Sequence, residues 1–219
     1  SPVHVAHWGT FVTTPNITKE AADIKVLVNV ENASNKPVKA VVTTDLYEID
    51  INDNLKAKVG SLITSTLDIK ANGSEEAETH SVLNNPKLWD LKTPNRYVAQ
   101  TKISVDGKVV DTYNTPFGIR TIEFTPRNGF LLNGKRVEIF GTCNHHDLGA
   151  LGAAINTSAL KRQLVMLKEM GCNSLRTSHN PPAPELLELA DKMGFLVWDE
   201  AFDAWRIGKK KFDYNVIFD

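Results

Sequence analysis

The chain has 219 residues, 42% hydrophobic and 23% charged, with a formal net charge of -1. That balance suits a folded chain of two ordinary domains and excludes a disordered segment. No basic run exceeds residues 209–211, and no apolar stretch approaches the roughly 18 residues of a membrane span, so neither nucleic acid nor a membrane is an expected partner.

The start, Ser1-Pro2-Val3-His4-Val5, reads as mid-protein sequence. Further on, Ile24, Val26, Val28 and Val30 recur with period two, which predicts a strand with one buried side. Residues 36–50 repeat the pattern with Val38, Ala40, Val42 and Leu46, and residues 96–105 with Tyr97, Ala99, Ile103 and Val105. Asp106-Gly107 then makes a tight hairpin turn, and residues 108–113 run back. Turn-rich breaks at 32–35, 72–74 and 84–86 separate the runs. The grammar is that of about seven strands without a helix, an immunoglobulin-like sandwich. No cysteine pair pins it, so packing alone must hold it. Trp89 reads as a core or edge aromatic rather than a sugar platform.

The second half changes period. A hairpin, residues 129–132 with the turn Asn133-Gly134, precedes an expected strand at 137–140. Leu160, Leu164, Leu167 and Met170 form a helical stripe over 158–170, capped by Asn156, Thr157 or Ser158 and ended by Gly171. Residues 173–177 read as a short strand. Residues 183–193 read as a helix with Pro184 in its first turn and Gly194 at its end, and 195–199 as a strand buried on both faces. Strand, helix, strand, helix, strand with short connections means parallel strands and right-handed crossovers. An open doubly wound sheet and a (β/α) barrel both fit. The two cysteines, Cys143 and Cys172, fall at opposite ends of neighbouring strands and read as free, buried thiols.

The polar residues lie where these strands finish: Asn144-His145-His146-Asp147, then Arg176-Thr177-Ser178-His179-Asn180, then Asp199-Glu200 with Asp203 and Trp205. In a barrel, the carboxyl ends of the strands form the active face. Asp199 and Glu200 are adjacent and point to opposite sides, so they cannot serve as a facing pair. Plainer readings stand beside the functional one. Arg176 can be a structural partner of Asp199 or Glu200, His146 and His179 can be ordinary hydrogen-bonded histidines, and His145 reads as structural or exposed. The adjacent histidines would diverge, which argues against a catalytic metal of the His-x-His kind. An oxygen-ligated Mg or Na ion near Glu200 stays open.

These residues carry a resemblance. Gly141-Thr142-Cys143-Asn144-His145-His146-Asp147-Leu148-Gly149-Ala150-Leu151-Gly152 is very similar to the first barrel loop of bacterial β-galactosidases of glycoside hydrolase family 2. Arg176-Thr177-Ser178-His179-Asn180-Pro181-Pro182 resembles their second-strand motif, and residues 198–205 their third. Residues 211–214, Leu88-Trp89-Asp90-Leu91-Lys92-Thr93-Pro94-Asn95 and Phe117-Gly118-Ile119-Arg120 also fit. The likeness is strongest over 117–205; over 14–85 only the strand pattern carries it.

The resemblance implies a multidomain chain: residues 1–12, around His7-Trp8-Gly9, as exit strand or linker from a missing jelly roll; 13–117 as the immunoglobulin-like β-sandwich; and 118–219 as the first βαβαβ portion of a TIM (β/α)8 barrel. His146, Arg176 and His179 match positions lining the galactose subsite, and Glu200 one near the catalytic acid. With Asp147, Asp199 and Trp205 they form the candidate substrate-binding set, and Asp203 is a rim candidate. Some relatives hold Mg at the Glu200 position, but the partner His two residues on is Phe202 here, which weakens that carry-over; no cofactor is expected to be required, with Mg or Na left open. The implied activity is retaining hydrolysis of terminal β-galactosides by two Glu carboxyls about 5 to 5.5 Å apart. Both are expected beyond Asp219, which would leave residues 1–219 inactive alone. A β-glucuronidase or β-mannosidase is the alternative within the family, and a non-catalytic immunoglobulin-like carbohydrate-binding or adhesion module the alternative outside it. Further expectations are a carbohydrate partner and a bacterial periplasmic or secreted location, with homo-oligomers left open. Three barrel strands leave an open edge and a bare inner layer, so 118–219 should meet another copy, be partly disordered or be joined by more chain.

Overall fold

The structure is a computed structural model and describes residues 1–202. It divides into two compact units, residues 1–90 with 95–135, and residues 91–94 with 136 onward. No described helix is long and apolar enough to cross a membrane.

The first unit is a two-sheet sandwich. Its strands are β1 (Val3–Thr13), β2 (Ala21–Asn32), β3 (Val38–Ile49), β4 (Leu55–Ser61), β5 (Ser65–Ile69), β6 (Gly73–Asn84), β7 (Arg96–Val105) and β8 (Lys108–Phe117). One sheet has the order β1-β2-β6; the other runs β4-β3-β7-β8, with β5 also paired to β3. The alternating residues fill the space between. Ile24, Val26, Val28 and Val30 from one sheet meet Ala40, Val42, Leu46, Ala99 and Ile103 from the other, all wholly buried. Each valine, leucine and isoleucine among them contributes about 2 kcal/mol by leaving water. Thr44 and Thr101 face each other across β3 and β7, and their hydroxyls bond at 3.0 Å, so these buried polar groups are satisfied.

Residues 1–12, expected as exit strand or linker, lie almost wholly in β1, which pairs antiparallel with β2. The pairing slips between Val5 and Thr10, where the ring of Trp8 stacks on His7. Trp89 is a core residue. Its N–H donates to Ile119 O at 2.8 Å, its carbonyl accepts from Asn133 Nδ2 at 2.9 Å, and the Arg120 guanidinium lies over its ring. Three short strands follow, β9 (Ile122–Thr125), β10 (Gly129–Leu132) and β11 (Lys135–Arg136), in the order β11-β10-β9, and the first unit ends within the last of them.

The second unit carries β12 (Gly141–Asn144), α1 (Thr157–Glu169), β13 (Ser174–Thr177), α2 (Pro184–Met193) and β14 (Leu196–Trp198). The three strands are parallel, in the order β12-β13-β14. The first of them is not the apolar run 137–140 but the four residues that follow. The Asn173 side chain takes over the backbone of that run, accepting from Phe140 N at 2.9 Å and donating to Glu138 O at 2.8 Å. Ile139 and Phe140 stay exposed. Gly141 then sits opposite Ser174, where a Cβ would lie 2.5 Å from the Ser174 carbonyl oxygen, so the close strand approach needs glycine.

Among the three candidate caps of α1, Asn156 is the one used: its Oδ1 accepts from Ala159 N at 2.9 Å. Leu160 and Leu164 are buried against Leu175, Leu189, Ala190 and Phe195. Met170, read as part of the buried stripe, is exposed because the helix has already ended at Glu169. Gly194 ends α2 in the left-handed region (φ 71°), and a Cβ there would strike the backbone of Leu91. Cys143 and Cys172 are free thiols as expected, but Cys143 is exposed rather than buried, since it sits on β12 among residues that the helices do not cover.

Candidate active site

The register of the parallel strands decides what meets. Cys143, Arg176 and Trp198 lie side by side across β12, β13 and β14. Leu175, one residue before Arg176, packs among the helices. The row with Arg176 therefore belongs to the opposite face, because successive side chains alternate. Glu200 is two residues beyond Trp198 and returns to that same face.

There Arg176 and Glu200 form a forked pair. Nε and Nη2 of Arg176 donate to Glu200 Oε1 at 2.6 and 2.5 Å, and Nη1 reaches Cys143 Sγ at 3.6 Å. The second carboxylate oxygen, Oε2, is 3.2 Å from His179 Nδ1. The Glu200 backbone is anchored too: its N–H donates to Thr177 Oγ1 at 3.1 Å, and Thr177 is itself buried. The hydrogen bond from Arg176 holds the Glu200 carboxyl below its ordinary range; partial burial opposes this, and His179 adds to the lowering. The same bond raises the Arg176 guanidinium further. Glu200 is thus an anion at any pH near neutral, and Arg176 keeps N–H groups free to meet an oxygen on a ligand.

The His145 ring meets the His179 ring edge-on, centroids 5.5 Å apart at 84°. The structure thus groups Arg176, His179, Glu200 and His145. His145 and His146 are both exposed, and both line a neighbouring cavity of about 40 Å³ with Asp147, Gln163, Leu164 and Ser178. Asp147 Oδ1 accepts from Gly149 N at 2.7 Å and shapes the loop after β12. Asp199 is exposed. Asp203 and Trp205 lie outside the described residues. His145 lies two residues past Cys143, just beyond the end of β12.

The donor set does not suit a cation at Glu200. Both carboxylate oxygens are engaged by donors, the arginine fork is a permanent positive charge beside them, and among the described residues no group of three His, Cys, Asp or Glu could hold a metal ion.

Residues 3–120 match the profile of glycosyl hydrolases family 2, and residues 124–212 match that family's TIM barrel domain. The chain belongs to glycosyl hydrolase family 2. Its architecture is accordingly the family's sandwich domain followed by the opening βαβαβ of the TIM barrel. It is 43% identical to a protein of Bacteroides ovatus named β-galactosidase BoGH2A, over 99% of this chain and 25% of that one. It is 31% identical to a putative β-glucuronidase of Formosa agariphila, over 97% of this chain and 20% of the relative. A family 2 member from Bacteroides cellulosilyticus, solved by crystallography, superposes with a TM-score of 0.86 at 37% identity, over 99% of this chain and 27% of that one. The chain spans about a quarter of the length of these relatives.

Proposed function

We propose that the protein carrying this chain is a retaining glycosidase acting on terminal β-galactosides, and that the strand ends described above form part of its sugar-binding rim. The observation that supports this most is the fork of Arg176 on Glu200 with His179 on the other carboxylate oxygen, placed where parallel strands end. Arg176 and the two histidines, His145 and His179, offer N–H groups to sugar hydroxyls. In this reading Asp147 holds the loop, and His146 and Asp199 border the site.

The resemblance implies an acid Glu directly after an Asn; residues 136–219 contain no such pair, and Glu200 is committed to Arg176. The general acid and the nucleophile of a retaining mechanism are therefore assigned to residues beyond this chain, with the acid protonating the leaving oxygen and the nucleophile taking the anomeric carbon. A galactoside is preferred because the relative at 43% identity is named a β-galactosidase. A second reading, a β-glucuronidase, is favoured by relatives of that name at 31% and 27% identity.

The test is turnover by the full-length protein on the p-nitrophenyl β-D-galactoside, β-D-glucuronide and β-D-mannoside. The galactoside is expected to lead in kcat/KM by on the order of 100-fold. A lead for the glucuronide replaces the first reading with the second, and no turnover of any of the three removes both.

A further inference from the structure

We propose that Glu200 is a positioning residue: it neither touches the sugar nor binds a cation, but sets the directions of Arg176 and His179. The proposal rests on the reading of this rim as a sugar site and adds to it the role of one carboxylate.

The geometry carries it. A carboxylate that binds a ligand directly must leave an oxygen turned toward that ligand. Here Oε1 takes two guanidinium N–H groups at 2.6 and 2.5 Å, and Oε2 faces His179 Nδ1 at 3.2 Å. The side chain is only 18% exposed, against 41% for Arg176 and 37% for His179. The groups that Glu200 holds are thus more open to solvent than Glu200 itself, the order expected when it stands behind them. Its own backbone is fixed by the buried Thr177 hydroxyl, whose strand also carries Arg176. One residue therefore ties the end of β14 to the end of β13 and to the peptide beyond it. A fork of two N–H bonds sets the plane of a guanidinium, which a single bond does not. With Nδ1 of His179 turned to Glu200, Nε2 is the ring nitrogen left for a ligand.

The experiment compares wild type, Glu200→Gln and Glu200→Asp in the full-length protein. Gln keeps the length and removes the charge; Asp keeps the charge and is too short to reach both partners. The first readout needs no substrate: phenylglyoxal labelling followed by peptide mass mapping. An arginine released from its carboxylate should label severalfold faster at Arg176 in both variants, while the exposed Arg136 stays unchanged as reference. Equal labelling of Arg176 in all three proteins overturns the proposal.

The second readout is kinetic, on p-nitrophenyl β-D-galactoside. Misdirected Arg176 and His179 should lower kcat/KM by on the order of 100-fold in Glu200→Gln at an unchanged melting temperature, with part of the loss restored in Glu200→Asp. A loss that follows the melting temperature alone overturns the proposal. So does a wild-type activity that EDTA removes and Mg²⁺ restores while Glu200→Gln responds to neither, because Glu200 would then be a cation ligand. A wild-type protein that turns over no glycoside removes the proposed function only, and the labelling still decides the role of Glu200.

Discussion

The two units solve the same problem, burying apolar side chains, in different ways. In the sandwich, each sheet turns one face inward and the two faces cover one another, so that Ile24, Val26, Val28 and Val30 have partners on the sheet opposite. In the second unit, the helices cover one face of the parallel sheet through Leu160, Leu164, Leu189 and Ala190. The other face keeps Cys143 and Trp198 exposed beside Arg176. The lesson is that the polar row sits on the face turned away from the helices, the one that a barrel turns to its interior.

If the sandwich is held by packing alone, removing its largest buried ring should produce the largest effect in the molecule. Trp89→Ala is expected to cost about 3 to 5 kcal/mol, read from urea unfolding; a loss below about 1 kcal/mol would break the contrast. Gly194→Ala tests how tightly the helical layer is tied to residues 91–94. A left-handed backbone costs alanine about 1 to 2 kcal/mol by itself, and the Cβ meets the Leu91 backbone as well, so the melting temperature should fall clearly. Asn156→Ala removes the cap of α1 and should cost about 1 kcal/mol, with Asn156→Asp close to wild type.

The smallest effect is one of protonation. The folded-state value of Glu200 lies below its unfolded one, first because of the hydrogen bond from Arg176. What this pair contributes is therefore complete above the unfolded carboxyl value, about 4.3, and is lost only as pH falls through the lower folded value. A carboxyl-detected NMR titration should place the Glu200 midpoint below that of an ordinary glutamate, and Arg176→Met should raise it. A midpoint unmoved by that substitution would deny the fork its electrostatic role.

Several features were legible from the residues. The period of two located β2, β3 and β7, and the stripe of leucines located α1. The order strand, helix, strand, helix, strand located the parallel sheet. β6 was not placed, because its inward positions are filled by Ala77, Thr79 and Leu83 among glutamates, so alternation in size and polarity is faint. The first parallel strand was misplaced for the opposite reason: Val137, Ile139 and Phe140 look like a strand, but the Asn173 side chain takes Phe140 N and Glu138 O, and the ladder begins at Gly141.

The residues by themselves determined the kinds of element, the opposite facing of Asp199 and Glu200, and the gathering of polar groups at strand ends, because these follow from backbone periods that are local. Which partner each polar group takes was decided by the tertiary structure. The 2.5 Å approach of Arg176 to Glu200 and the edge contact of His145 with His179 depend on strand register, and register is set by contacts between residues more than twenty positions apart.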